Sequence, residues 1–187
     1  MTSTPPRFLG IPRWILAWIS FPLSGLVAWL ALGPIVSPGL SLAAGILVGL
    51  GVGAAGAWAL RVPIAPWALA SALGLGAGSL LGALVAPMLA PPLGGLAAAA
   101  LAGAGIGLAQ ATLRPPLPRL AWAGLVLVAW IGAWAISLAV AIDAEQGFAV
   151  FGASGALLFT VVPLATPPSA EGLPSLIVPA VIEVAPV

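Results

Sequence analysis

The serines Ser20, Ser24, Ser71, Ser79, Ser137 and Ser154 sit inside long apolar runs. There a hydroxyl becomes a nucleophile only if a base takes its proton. The chain supplies no such base: it has no His and no Lys, and it also lacks Cys, Tyr and Asn. Paired-carboxylate chemistry is no better served. Asp143 is the single aspartate, and Glu145, in the same short turn, reads as part of a solvated loop rather than an acid pair. Imidazole or thiolate ligation of zinc or haem is excluded, and disulfides cannot form. The many glycines lie within apolar runs rather than after a strand, so no phosphate-cradling loop is present. No catalytic residue, metal site or cofactor is expected, and the chain does not read as an enzyme.

Three sets of residues could still bind something. Gln110, in Gly105-Ile-Gly-Leu-Ala-Gln-Ala-Thr-Leu-Arg114, lies about one turn inside the end of an apolar run. It could hydrogen-bond a ligand or simply the next helix, and the helix is the commoner use of such a residue. Arg61, Arg114 and Arg119 could hold anionic lipid headgroups, although snorkelling and membrane topology already account for them. Trp122, Trp130 and Trp134 recur at helical spacing and share one face. That face could hold a flat lipophilic molecule, but a lipid-facing or helix-packing stripe is the more frequent meaning of the pattern.

The elements that would position these residues follow from composition. The chain of 187 residues is 62% hydrophobic and 5% charged, where a soluble domain would be about 25% charged. A spanning helix needs about 20 apolar residues, and six segments meet or approach that length: residues 14–32, 40–60, 67–86, 93–113, 120–142 and 147–164. In lipid each run must satisfy its own backbone hydrogen bonds, which a helix does and an isolated strand does not. The expected fold is therefore all-α, a polytopic membrane bundle of six transmembrane helices over residues 1–164. A proline-rich apolar tail follows at 165–187. The first run is too long for a signal-peptide core and is read as a retained span.

Threading six spans from a cytoplasmic N-terminus places Arg7, Arg13, Arg61, Arg114 and Arg119 on the cytoplasmic side, with Asp143 and Glu145 opposite. That is the positive-inside pattern, and it puts both termini inside a bacterial inner membrane. Trp14, Trp58, Trp67 and Trp122 fall near the same boundary, as an aromatic belt would.

Leu60-Arg-Val-Pro-Ile-Ala-Pro-Trp67 and Leu113-Arg-Pro-Pro-Leu-Pro-Arg-Leu-Ala-Trp122 are near copies, with Arg61 matching Arg114 and Trp67 matching Trp122. They predict tandem two-helix repeats at about 40–86 and 93–142, parallel in the membrane. A weaker third copy, Gly10-Ile-Pro-Arg-Trp14, suggests a pseudo-threefold arrangement in which the sixth span and the first form one more, broken unit. Gly45, Gly49 and Gly53, then Gly74, Gly78 and Gly82, and finally Gly103 and Gly107 recur every four residues. Such spacing lets helix backbones approach closely, within one chain or at an oligomer face.

The Gly-x-Gly-x-x-Gln-x-x-Leu-Arg of residues 105–114, with a tryptophan opening the next helix, resembles a loose group of uncharacterised bacterial multi-pass membrane proteins. These repeat Gly-rich helices ending in Gln-x-x-Leu-Arg. Ala111 stands where that pattern often has Trp, and Ala57-Trp58 replaces Gln-Trp in the first copy. The resemblance implies an architecture and no known activity. The expected role is a structural or accessory subunit of a larger membrane assembly, with lipid, other membrane subunits or further copies of the chain as partners and no nucleic acid. The alternative is a small-molecule carrier or substrate-binding transporter component for a lipophilic or vitamin-like solute.

Overall fold

The computed structural model describes residues 10–139 apart from Arg114, and side chains from Ala17 onward apart from Ser137. The sixth expected span at 147–164, the tail, Asp143, Glu145, Arg7 and the side chains of Arg13, Trp14 and Arg114 lie outside what is described. Within it the chain is all-helical. The helices are α1 (Gly10–Leu32), α2 (Pro38–Leu60), α3 (Ile64–Val85), α4 (Pro91–Ala111) and α5 (Arg119–Ala139). The helices α2, α4 and α5, and α3 together with the 3-10 turn Ala86–Met88 that prolongs it, are each long and apolar enough to cross a membrane. Ala17–Leu32 of α1 adds a further apolar helical stretch.

The helices begin earlier than hydropathy alone suggests, because proline enters them. Pro38 and Pro91 open α2 and α4, and Pro66 sits in the first turn of α3. The first N–H groups of a helix have no partner within it, so a residue lacking that group costs nothing there. Ser37 caps α2, its side chain accepting from the Leu40 N–H at 3.3 Å. Pro22 lies inside α1, which continues through it.

Helix ends are made by different means. Arg61 closes α2 in the left-handed region at φ 58°, and its N–H donates to the carbonyls of Ala57 and Trp58. That conformation is normally left to glycine. The end of α4 tightens, with the N–H groups of Thr112 and Leu113 reaching back three residues to Ala109 and Gln110.

Each helix packs along the next one in the chain, from α1 on α2 through to α4 on α5. Glycines set the distance. A Cβ built on Gly49 would lie 2.6 Å from the Cα of Ala72, and one on Gly53 would lie 2.6 Å from the Ser71 Cβ and 2.9 Å from the Ala68 Cα. The face of Gly45, Gly49 and Gly53 on α2 is therefore filled by the backbone of α3. Gly74, Gly78 and Gly82 turn to α4 in the same way: a Cβ on Gly78 would strike the Leu101 carbonyl and lie 2.7 Å from the Ala102 Cα. Gly103 and Gly107 turn to α5, at 2.6 Å from the Trp130 Cβ and 3.1 Å from the Val126 Cβ. With lipid as apolar as the helices themselves, attraction comes from such atom-to-atom contact rather than from water exclusion.

The α2–α3 and α4–α5 contacts correspond. Gly53 meets Ser71 and Ala68, while Gly107 meets Val126 and Ala123. The second set follows the first along the chain by the same interval to within one residue, which is also the interval from Trp67 to Trp122. At the centre of the bundle Phe21 of α1 and Trp130 of α5, both fully buried, bring their ring centroids to 6.3 Å.

Candidate functional site

The buried polar side chains among the described residues are Ser71, Ser79 and Gln110. Two of them, with two tryptophans, form one constellation at the end of the bundle where α2 and α4 finish and α3 and α5 begin. Gln110 stands in the last turn of α4 and is 4% exposed. Its Nε2 donates to the Ser71 Oγ of α3 at 2.8 Å. The Ser71 hydroxyl in turn donates to the Trp67 carbonyl one helical turn earlier, at 2.8 Å. From α5 the Trp122 Nε1 donates to the Gln110 Oε1 at 3.0 Å. The two indoles close the circuit, meeting nearly edge to face with centroids 5.6 Å apart and planes inclined by 70°.

Donor and acceptor types fix this arrangement. An indole N–H is a donor only, so the oxygen of the Gln110 amide must face Trp122. Its NH2 group then faces Ser71, whose proton is already engaged by the Trp67 carbonyl and whose oxygen is free to accept. Ser71 is thus no latent nucleophile: its hydroxyl bonds a backbone carbonyl, and its side-chain neighbour is an amide with no useful basicity. The group ties three helices together. Hydrogen bonds between membrane helices contribute about 0.6 kcal/mol each on average, and edge-to-face aromatic pairs about 0.5–1.5 kcal/mol beyond area burial.

The other candidates are dispersed. Arg61 and Arg119 stand exposed in the two turns at this same end, Arg119 as the first residue of α5. Trp130 is fully buried, and Trp134 is half-buried against the core. The stripe of Trp122, Trp130 and Trp134 therefore turns into the bundle. Trp67 and Trp122, assigned to an interfacial belt by their position in sequence, are each only 2% exposed. Each faces the other, and Trp122 also has a buried amide to bond, which removes the reason for an indole to seek the headgroups. Trp58 remains on the outer surface. Among the described residues the Ser79 Oγ and the Trp130 Nε1 are buried without a hydrogen-bond partner.

Sequence reasoning singled out Gln110 and Trp122 but did not join them, and it weighed Ser71 only as a nucleophile. The available signal was register: Trp67 and Ser71 are one helical turn apart, so a partner for one meets the other.

Taken together, fold and site define a class: a protein whose described residues are all-helical, with four helices among them long and apolar enough to cross a membrane, pinned at one end by a buried amide. Compared with known proteins, the chain matches no family model, no curated protein and no solved structure.

Proposed function

We propose that this chain is a non-catalytic structural or accessory subunit of a larger membrane assembly in the bacterial inner membrane. It has six spans, both termini are cytoplasmic, and the tandem two-helix units are α2–α3 and α4–α5. The observation that carries the reading is the use of the buried amide. Gln110 and Ser71, two of the three buried polar side chains among the described residues, serve each other, a backbone carbonyl and the Trp122 indole. They hold helices rather than face a solute. The repeat is supported by the matching contacts of Gly53 and Gly107 and by the pairing of Trp67 with Trp122. Topology rests on the arginines, with Arg61 and Arg119 exposed at one end.

A second reading, a carrier of a lipophilic small molecule, draws on the Trp130 Nε1 and the Ser79 Oγ. Both are buried polar atoms without a hydrogen-bond partner among the described residues and could bond a solute that enters between helices. Gentle solubilisation from the native membrane, native-gel sizing and mass spectrometry separate the two. Stoichiometric co-migration with other membrane subunits is the expected result. A monomer or small homo-oligomer carrying one bound small molecule would overturn it in favour of the carrier.

A further inference from the structure

Arg61 and Arg119 both stand where local structure disfavours an arginine. Arg61 closes α2 with φ at 58°, a left-handed backbone that is costly for a residue with a Cβ. The chain uses glycine for this purpose after α1, where Gly33 turns at φ 69° and its N–H returns to the Trp29 carbonyl. A cation near the last carbonyls of α2 is favoured by the helix dipole, but that benefit needs a charge near the helix end, not the left-handed position itself. Arg119 is the first residue of α5, and there the dipole opposes a cation. Membrane topology asks only for positive charge somewhere in each turn. It does not account for these two positions.

Strain held beneath an exposed side chain points to a use for that side chain. The two arginines share one end of the bundle. Ile64 and Arg119 each stand three residues before a member of the touching pair Trp67 and Trp122, so the first turns of α3 and α5 lie side by side there. Arg61 leads into the first of them through Val62 and Pro63. Large aliphatic side chains accompany both arginines: Ile64 is 50% exposed and Leu120 85%. All four carboxylates of the chain come after residue 142, so no acidic side chain stands among the described residues. Exposed positive groups beside exposed aliphatic ones match a molecule with an anionic head and acyl chains. We propose that the turns carrying Arg61 and Arg119 bind the phosphate of an anionic phospholipid, with Ile64 and Leu120 against its acyl chains. A guanidinium presents its N–H donors in a fork that fits phosphate oxygens, and the bound anion offsets the positive end of α5 that Arg119 otherwise faces. The surface belongs to the chain itself and serves it alone or within a larger assembly.

The test offers the full-length protein in mild detergent equal amounts of phosphatidylglycerol and phosphatidylcholine, and native mass spectrometry counts the lipids that stay bound. The wild-type chain is expected to retain phosphatidylglycerol in preference. A basic residue near an anionic surface is worth about five-fold in binding. Arg61→Gln and Arg119→Gln should therefore each lower the preference by about that factor, and the double variant should remove it. Relocation separates a built surface from mere charge. Arg61→Gly with Ala65→Arg, and Arg119→Gln with Thr112→Arg, keep the net charge and move the guanidinium to exposed neighbouring positions. Each relocated variant is expected to lose what its arginine contributed. Size-exclusion profiles check that the variants fold, and either arginine decides the matter if variants of the other do not. Equal retention of the two lipids by the wild-type chain, unchanged preference in the Gln variants, or full preference in the relocated ones would overturn the proposal. Displacement of the lipid by inorganic phosphate at equal concentration would overturn it too, because the surface would then read a free anion rather than a lipid.

Discussion

Replacing Gln110 by leucine tests the clasp most directly, because leucine keeps much of the volume and removes both polar ends. Two hydrogen bonds vanish, to Ser71 and from Trp122. Two membrane hydrogen bonds at about 0.6 kcal/mol each give a lower figure of about 1 kcal/mol. More is lost at the Trp122 Nε1, a buried donor whose acceptor has gone, at a cost of about 1–3 kcal/mol. Ser71 suffers less, because its proton remains on the Trp67 carbonyl. A total of about 2–3 kcal/mol is expected for Gln110→Leu. The companion change Trp122→Phe removes the donor itself and so relieves the orphan.

The double variant Gln110→Leu with Trp122→Phe should accordingly be more stable than the sum of the single losses predicts, with a coupling of about 1 kcal/mol or more. The assay is equilibrium unfolding in mixed micelles, titrated with a denaturing detergent and followed by helical circular dichroism. That signal does not depend on the tryptophan being removed. An unchanged midpoint for Gln110→Leu, or strict additivity in the cycle, would refute the idea that these side chains act as one unit.

Three further outcomes follow from the same geometry. Gly78→Leu should abolish the monodisperse species on size-exclusion chromatography in detergent, since its Cβ would strike the Leu101 carbonyl and backbone cannot yield as a side chain can. Gly124→Leu should leave the elution profile unchanged, because nothing lies within 4 Å of its Cβ direction; equal behaviour of the two variants would contradict the packing. Arg61→Gly should be about 1 kcal/mol more stable than Arg61→Ala in detergent unfolding, because only glycine relaxes the positive φ at that cap; equal midpoints would show that the cap carries no strain. A reporter fused after Val187 should be active only in its cytoplasmic form; activity only in the external form would refute the arginine-based topology.

What the sequence made legible divides by physical cause. Helix existence was plain, since runs such as 40–60 and 93–113 have no other way to satisfy their backbone in lipid. Their starts were not, because Pro38, Pro66 and Pro91 read as breaks when they are first-turn residues. Faces were the hardest part. A soluble helix advertises its buried side by contrast with a polar one, but in α3 Leu75 is buried and Leu73 exposed although both are leucine. Hydropathy cannot separate them when lipid and core are alike. Only the rare departures from that sameness carried information: glycines at four-residue spacing, one amide, and tryptophans with a polar tip.

Trp67 and Trp122 show how the same signal misleads and then informs. Each follows an Arg-Pro turn, which is where an interfacial belt belongs, and each nonetheless points inward. An indole remains at the headgroups when water or a phosphate is the best acceptor within reach. Gln110 changes that balance for Trp122, which meets the amide oxygen at 3.0 Å, and Trp67 then packs on the Trp122 ring. In α2 the residues at the same distance before its closing Leu60-Arg61 pair are Gly56-Ala57, which have no amide to offer. Gln110 is therefore what distinguishes the end of α4 from the end of α2. It supplies the polar link that joins α3, α4 and α5 at one end, while close glycine packing alone sets the rest of their separation.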